Sequence, residues 1–149
     1  MKKSNLIVLF FGALFMLWSC NKNNPDEIPY VNVNTVVDLS VPSSFDLQVP
    51  GGWIYITGGN KGIIVFHNFD GNFLAIERTC PYKPFDACNI ITVDSSNIFF
   101  RCGQYDTNGW QPCCNSKFTV DGFVSNGPAT RPLRLYNVVK NGNRVYINY

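Results

Sequence analysis

From residue 30 to the C-terminus the apolar residues never settle into a sustained three-four spacing, while β-branched and aromatic side chains are dense throughout. That pattern predicts strands, because branched and aromatic side chains fit a pleated surface and no helical stripe is present to cover. The expected strands are residues 31–37, 45–49, 53–57, 62–68, 73–78, 90–93, 97–101, 135–140 and 144–148. Asp70-Gly71 and Asn141-Gly142 stand between clear strand pairs and supply residues that accept positive φ, so each marks a hairpin; Asp121-Gly122 has the same chemistry. Pro42, Pro50 and Pro132 fall at strand edges, where a missing N–H does least harm. No repeat of fixed period and no second composition regime appears, which predicts one all-β domain.

Two stretches interrupt the strand rhythm, 79–89 and 103–117. They hold Cys80, Cys88, Cys113 and Cys114, and Cys102 stands at the edge of the second. Sulfur is thus expected in loops that the strands present.

The N-terminus has a different pattern. MKKSNLIVLFFGALFMLWSC has a basic start, then thirteen residues, 6–18, without a charge, then Ser19 and Cys20. A spanning helix needs about 20 apolar residues, so this run is expected to be a secretory leader and not a membrane span. Leu17-Trp18-Ser19-Cys20 resembles the lipobox of bacterial lipoproteins, in which the cysteine becomes the first mature residue and carries the acyl chains; Trp18 departs from the small residue usual there. The resemblance implies a signal peptide at 1–19, lipidation at Cys20, a polar tether at 20–27 and a β domain at 28–149. It places the protein in the cell envelope, anchored to a bacterial membrane. The outer membrane is expected over the inner, since Asn21 and Lys22 carry no acidic retention signal.

Loss of the leader removes Lys2 and Lys3 from twelve basic residues and leaves ten against ten acidic ones. A neutral mature chain gives no grip on nucleic acid. About 120 residues remain for the domain, enough to bury roughly two thirds of its surface in a core. Six cysteines in an exported chain point to disulfides; with Cys20 acylated five remain, so at least one lies outside any intrachain bond.

The order GIIVFHNFDGNFLAIERTCPY, a strand, PCCNSKF, then DGFVSNGPATRPLRLYNV resembles the Rieske domain over about ninety residues, 61–149. In that family a hairpin with a D-G turn leads into a C-x-H loop, and a C-x-x-H-G-S-x-F loop follows. The resemblance implies a stack of small antiparallel sheets with both loops at one end. A Rieske 2Fe–2S centre takes two thiolates on one iron and two imidazoles on the other. This chain has one histidine, His67, in the expected strand 62–68 and not in either loop. By alignment Cys80 matches a ligand cysteine, Tyr82 stands for the first imidazole, Gln111 for the second cysteine and Cys114 for the second imidazole, with Asn115 in place of the glycine. A phenol with a pKa near 10 is a poor substitute for imidazole. The cluster positions are therefore degenerate.

A second alignment treats 103–111 as an insertion and makes Cys102 the ligand equivalent. Cys80, Cys102, Cys113 and Cys114 would then form an all-thiolate site for zinc or an iron–sulfur cluster. Without metal, the resemblance implies an accessory disulfide of the cytochrome bc type between Cys88 and Cys113, a second between Cys80 and Cys114, and Cys102 as the free thiol further down its strand.

The expected function is a non-catalytic structural or binding module with no cofactor, held at the membrane by its lipid and serving an unidentified protein partner. The alternative is electron transfer through a cysteine-ligated centre. No catalytic constellation appears: Asp70, Asp94 and Asp121 read as turn residues. Trp53 reads as packing, and Trp110 is the aromatic expected at the middle of any docking contact on the loop tip.

Overall fold

The computed structural model describes residues 27–149; the expected leader and Cys20 lie outside them. Among the described residues ten strands form two sheets, and every pairing between these strands is antiparallel. They are β1 (Asn34–Asp38), β2 (Trp53–Ile56), β3 (Ile63–His67), β4 (Phe73–Glu77), β5 (Ile91–Val93), β6 (Phe99–Asp106), β7 (Gly109–Thr119), β8 (Val124–Asn126), β9 (Leu135–Asn141) and β10 (Arg144–Asn148). The larger sheet has the order β1-β10-β9-β4-β3-β2, and the smaller β5-β6-β7-β8.

The runs IIVF and FLAI explain the arrangement. Along a strand successive side chains point to opposite faces, so a strand that is apolar at every position must be covered on both. Ile63, Val65, Phe73 and Ala75 face a core shared with Leu47, Tyr136, Val145 and Ile147, inside the curl of the larger sheet. Ile64, Phe66 and Ile76 face a second core completed by Ile91, Val93, Phe100 and Phe118 of the smaller sheet. The two sheets are thus stacked by the same pair of central strands.

Two expectations need correction. Residues 45–49 are not a strand but lie in and after a 3₁₀ helix, Pro42–Gln48. Pro42 presets the φ of the first turn, the Ser44 N–H donates to Val41 O at 3.0 Å, and of the apolar residues Phe45, Leu47 and Val49 only Leu47 is buried. Stretch 103–117 is not an irregular loop. β6 and β7 continue through it as a hairpin arm closed at Thr107-Asn108, with Tyr105 opposite Trp110 and Gln104 opposite Gln111. Most of its residues are exposed, so it lacks the apolar signature of a half-buried strand. Trp110 is committed within the arm, edge to face with Tyr105 at 5.0 Å and beneath the Arg101 guanidinium at 4.4 Å.

Candidate functional site

The site begins with a break in register. Arg101 pairs with Lys117 and Gly103 with Pro112, so the single residue Cys102 on β6 faces the four residues 113–116 on β7. Extra residues on one strand bow it and re-aim its side chains. The bowed segment carries Cys113 and Cys114. It is backed by the stretch after β8, where the Ala129 N–H donates to Ser116 Oγ at 3.1 Å. Gly127, at φ +93°, lies against the backbone of Asn115 and Ser116, where any side chain would collide.

The other half of the site comes from the loop between β4 and β5. Its ends are joined by a bridge between Thr79 and Ile90, and the Cys80 N–H donates to Asn89 O at 3.2 Å. Asn89 Nδ2 donates to Lys83 O at 2.7 Å, and Lys61 Nζ donates to Asp86 O at 2.6 Å and Asn89 O at 3.1 Å. A disulfide, Cys88–Cys113, ties this loop to the bowed segment, with a Cα–Cα distance of 5.4 Å.

Behind the loop is a buried carboxylate that sequence reasoning missed. Glu77 accepts from Asn60 N–H at 2.8 Å, Lys61 N–H at 3.1 Å, Thr79 N–H at 2.8 Å, Thr79 Oγ1 at 2.7 Å and Tyr136 OH at 2.6 Å. Burial alone would raise its pKa. The bonds from Tyr136, the Asn60 N–H, Thr79 and the Lys61 N–H outweigh burial and hold it below the usual glutamate value, while burial and the Glu77 charge push Tyr136 up. Glu77 thus fixes the turn before β3 and the residue next to Cys80 at once. The signal was its place on the inward period of β4, two residues after Ala75.

Three thiols converge between the loops. The sulfurs of Cys80, Cys102 and Cys114 all lie within 4.8 Å of one another, with Cys80 and Cys114 at 3.9 Å. Cys80 and Cys102 are fully buried and Cys114 is half-buried. Cys102 donates to Asn89 Oδ1 at 3.1 Å and Cys114 to Ser116 Oγ at 3.2 Å. Hydrogen bonding from Cys102 lowers the pKa of Cys80 against the opposing effect of burial, with further help from the Tyr82 N–H, Cys114 and the Lys61 charge. The same bond and burial push Cys102 far up.

The residues singled out in the sequence divide accordingly. Cys88 and Cys113 are bonded to each other, which removes Cys113 from the four-thiolate set. Cys80 and Cys114 are neighbours but not bonded, contrary to the second expected disulfide. Cys102 is a free thiol as expected, yet it sits beside the other two and not further down, because the bulge drops β7 onto it. Gln111, aligned with a ligand cysteine, lies exposed on the arm, where its Nε2 donates to Asp106 Oδ1 at 3.3 Å. Tyr82 packs half-buried against the second core, and its N–H rather than its phenol serves the site. His67 stacks on Phe73 at 4.5 Å, with Nδ1 at 2.9 Å from Leu47 O.

No protein-family model matches the chain, and no curated protein matches it. Among solved structures it is similar to the cyanobacterial plasma membrane Rieske protein PetC3 from Synechocystis PCC 6803, with a TM-score of 0.52 and 24% sequence identity over 79% of this chain and 98% of that one. That likeness shows the fold: the domain is Rieske-like and all-β. The residues do not fit a Rieske centre, which requires two imidazoles, because the one histidine of the chain is held on β3 by Phe73 and Leu47. They offer instead three soft donors at one point.

Proposed function

We propose that the chain is a lipid-tethered cell-envelope protein whose Rieske-like domain acts without a histidine-ligated 2Fe–2S centre, as a non-catalytic structural or binding module. The observation that carries this reading is the pairing of a Rieske-like scaffold with a single histidine committed elsewhere. The Cys88–Cys113 bond supports it, since it holds the two loops together without any metal. The lipobox-like LWSC supplies the anchor, and the membrane location of the similar Rieske protein agrees with it. Fully extended, the segment from Cys20 to Ile28 reaches at most about 30 Å, so the domain works close to the bilayer. A neutral mature domain suits a protein partner and no nucleic acid.

The anchor is tested by fractionating cells that express the wild type and Cys20→Ala. The wild type is expected in a membrane fraction released only by detergent, and the variant as a soluble or unprocessed form. Wild-type protein that washes off with salt alone would contradict the lipid anchor.

A further inference from the structure

We propose that Cys80, Cys102 and Cys114 bind a single soft d¹⁰ cation, zinc(II) or copper(I), between the two loops. The three thiols come from separate places in the chain: the start of the first loop, the middle of β6 and the bulge of β7. Their convergence within 4.8 Å is a property of the fold and not of local sequence. A metal–sulfur bond of about 2.3 Å sets the sulfurs of one ion roughly 3.8–4.0 Å apart, for tetrahedral or trigonal geometry. Cys80 and Cys114 already stand at 3.9 Å, so the site closes on an ion with small side-chain movements.

The donor set decides the class of ion. Three thiolates select soft cations, and no histidine, carboxylate or further cysteine joins the trio among the described residues. Copper(I) is satisfied by three sulfurs in a plane. Zinc would take a solvent molecule as its fourth ligand on the side of Cys114, where a pocket lined by Arg101, Cys114, Asn115, Ser116, Lys117 and Asn126 opens to solvent. Lys61, behind Cys80, counters part of the excess negative charge of three thiolates on one ion. The loops that carry the ligands are also tied together beforehand by the Cys88–Cys113 bond, which limits the ordering cost of binding. Binding exchanges the thiol protons for the ion: up to three protons leave, three metal–sulfur bonds form and no electron is transferred. A two-iron cluster does not suit the trio, since its ligands divide between two metals whereas these sulfurs point at one.

The test uses the full-length protein in detergent, isolated without chelators and handled without oxygen. It is titrated with zinc(II), with copper(I) against a chromogenic competitor, and with cobalt(II) as an optical probe. One equivalent per chain is expected, with thiolate-to-metal charge-transfer bands. Each of Cys80→Ser, Cys102→Ser and Cys114→Ser should weaken binding by more than the roughly 10- to 100-fold that loss of an outer partner costs. Saturable zinc(II) binding with tetrahedral cobalt(II) bands identifies the four-coordinate form, and saturation by copper(I) alone the trigonal one. Cys114 is half-buried, so Cys114→Ser, checked by circular dichroism, keeps the test decisive if Cys102→Ser disturbs folding. Absence of saturable binding, binding unchanged by Cys102→Ser or Cys114→Ser, or a disulfide within the trio in the protein as isolated would overturn the site. Those results leave the proposed function standing, whereas uptake of iron with sulfide would contradict both.

Discussion

Replacing Glu77 with alanine should destabilise the domain by about 3–5 kcal/mol, read as a fall in the urea unfolding midpoint. The carboxylate is fully buried and takes hydrogen bonds from three backbone N–H groups and from the Thr79 and Tyr136 hydroxyls. Its removal leaves five buried or half-buried donors without their acceptor. Each unsatisfied donor costs about 1–3 kcal/mol, and water entering the gap recovers part of the sum. Glu77→Gln should cost less, because one acceptor oxygen survives. The pH dependence has a fixed sign. The folded pKa of Glu77 is depressed, so its contribution is complete above the unfolded carboxylate value of about 4.3 and disappears as pH falls through the folded value. The stability gap between wild type and Glu77→Gln should therefore narrow as pH falls below about 5. Asp38 and Asp70, also depressed by hydrogen bonds from Ser40 and Asn72, are common to both proteins and cancel in that difference. A gap that is constant down to strong acid would mean that the pKa of Glu77 is not depressed in the folded protein.

Opening the Cys88–Cys113 bond in a Cys88→Ala, Cys113→Ala double variant should cost about 3 kcal/mol, because the bond closes a separation of 25 residues in the unfolded chain. For a domain of this size that corresponds to a fall in Tm of roughly 10–15 °C. Strand content at low temperature should be unchanged, since neither Cys88 nor Cys113 takes part in a strand pairing or is a buried residue of either core. The effect should concentrate at the loops, with faster amide exchange over residues 80–89 and 113–116 than over β3 or β4. A variant that melts within a few degrees of the wild type would show that the bulge and the Ser116–Ala129 contact hold the loops by themselves.

These two expectations show where sequence reasoning reached and where it stopped. β3, β4, β9 and β10 were legible because their branched runs are bounded by Asp70-Gly71 and Asn141-Gly142, whose backbone requirements few residues meet. The strand expected at 45–49 rests on the general density of apolar and aromatic residues, but the proline ahead of it governs the local backbone. The β6–β7 arm escaped notice because solvent reaches most of it, so packing left no period in the sequence. At the site, the Cys88–Cys113 pairing came from resemblance to a family whose loops are tied in the same way. The meeting of Cys102 with Cys80 and Cys114 could not be read, because it depends on a register slip that places one residue opposite four. Glu77 was hidden by its apolar neighbours: its place on the inward period of β4 marks it as buried, but the five donors that hold it come from the fold.

The most direct test of a Rieske-like domain that works without the Rieske centre is iron and acid-labile sulfide analysis of the full-length protein, purified without chelators or oxygen, with its visible spectrum. Far less than one iron per chain, no labile sulfide and a colourless solution are the expected result. Stoichiometric iron with sulfide, and visible absorption that bleaches on reduction, would contradict it.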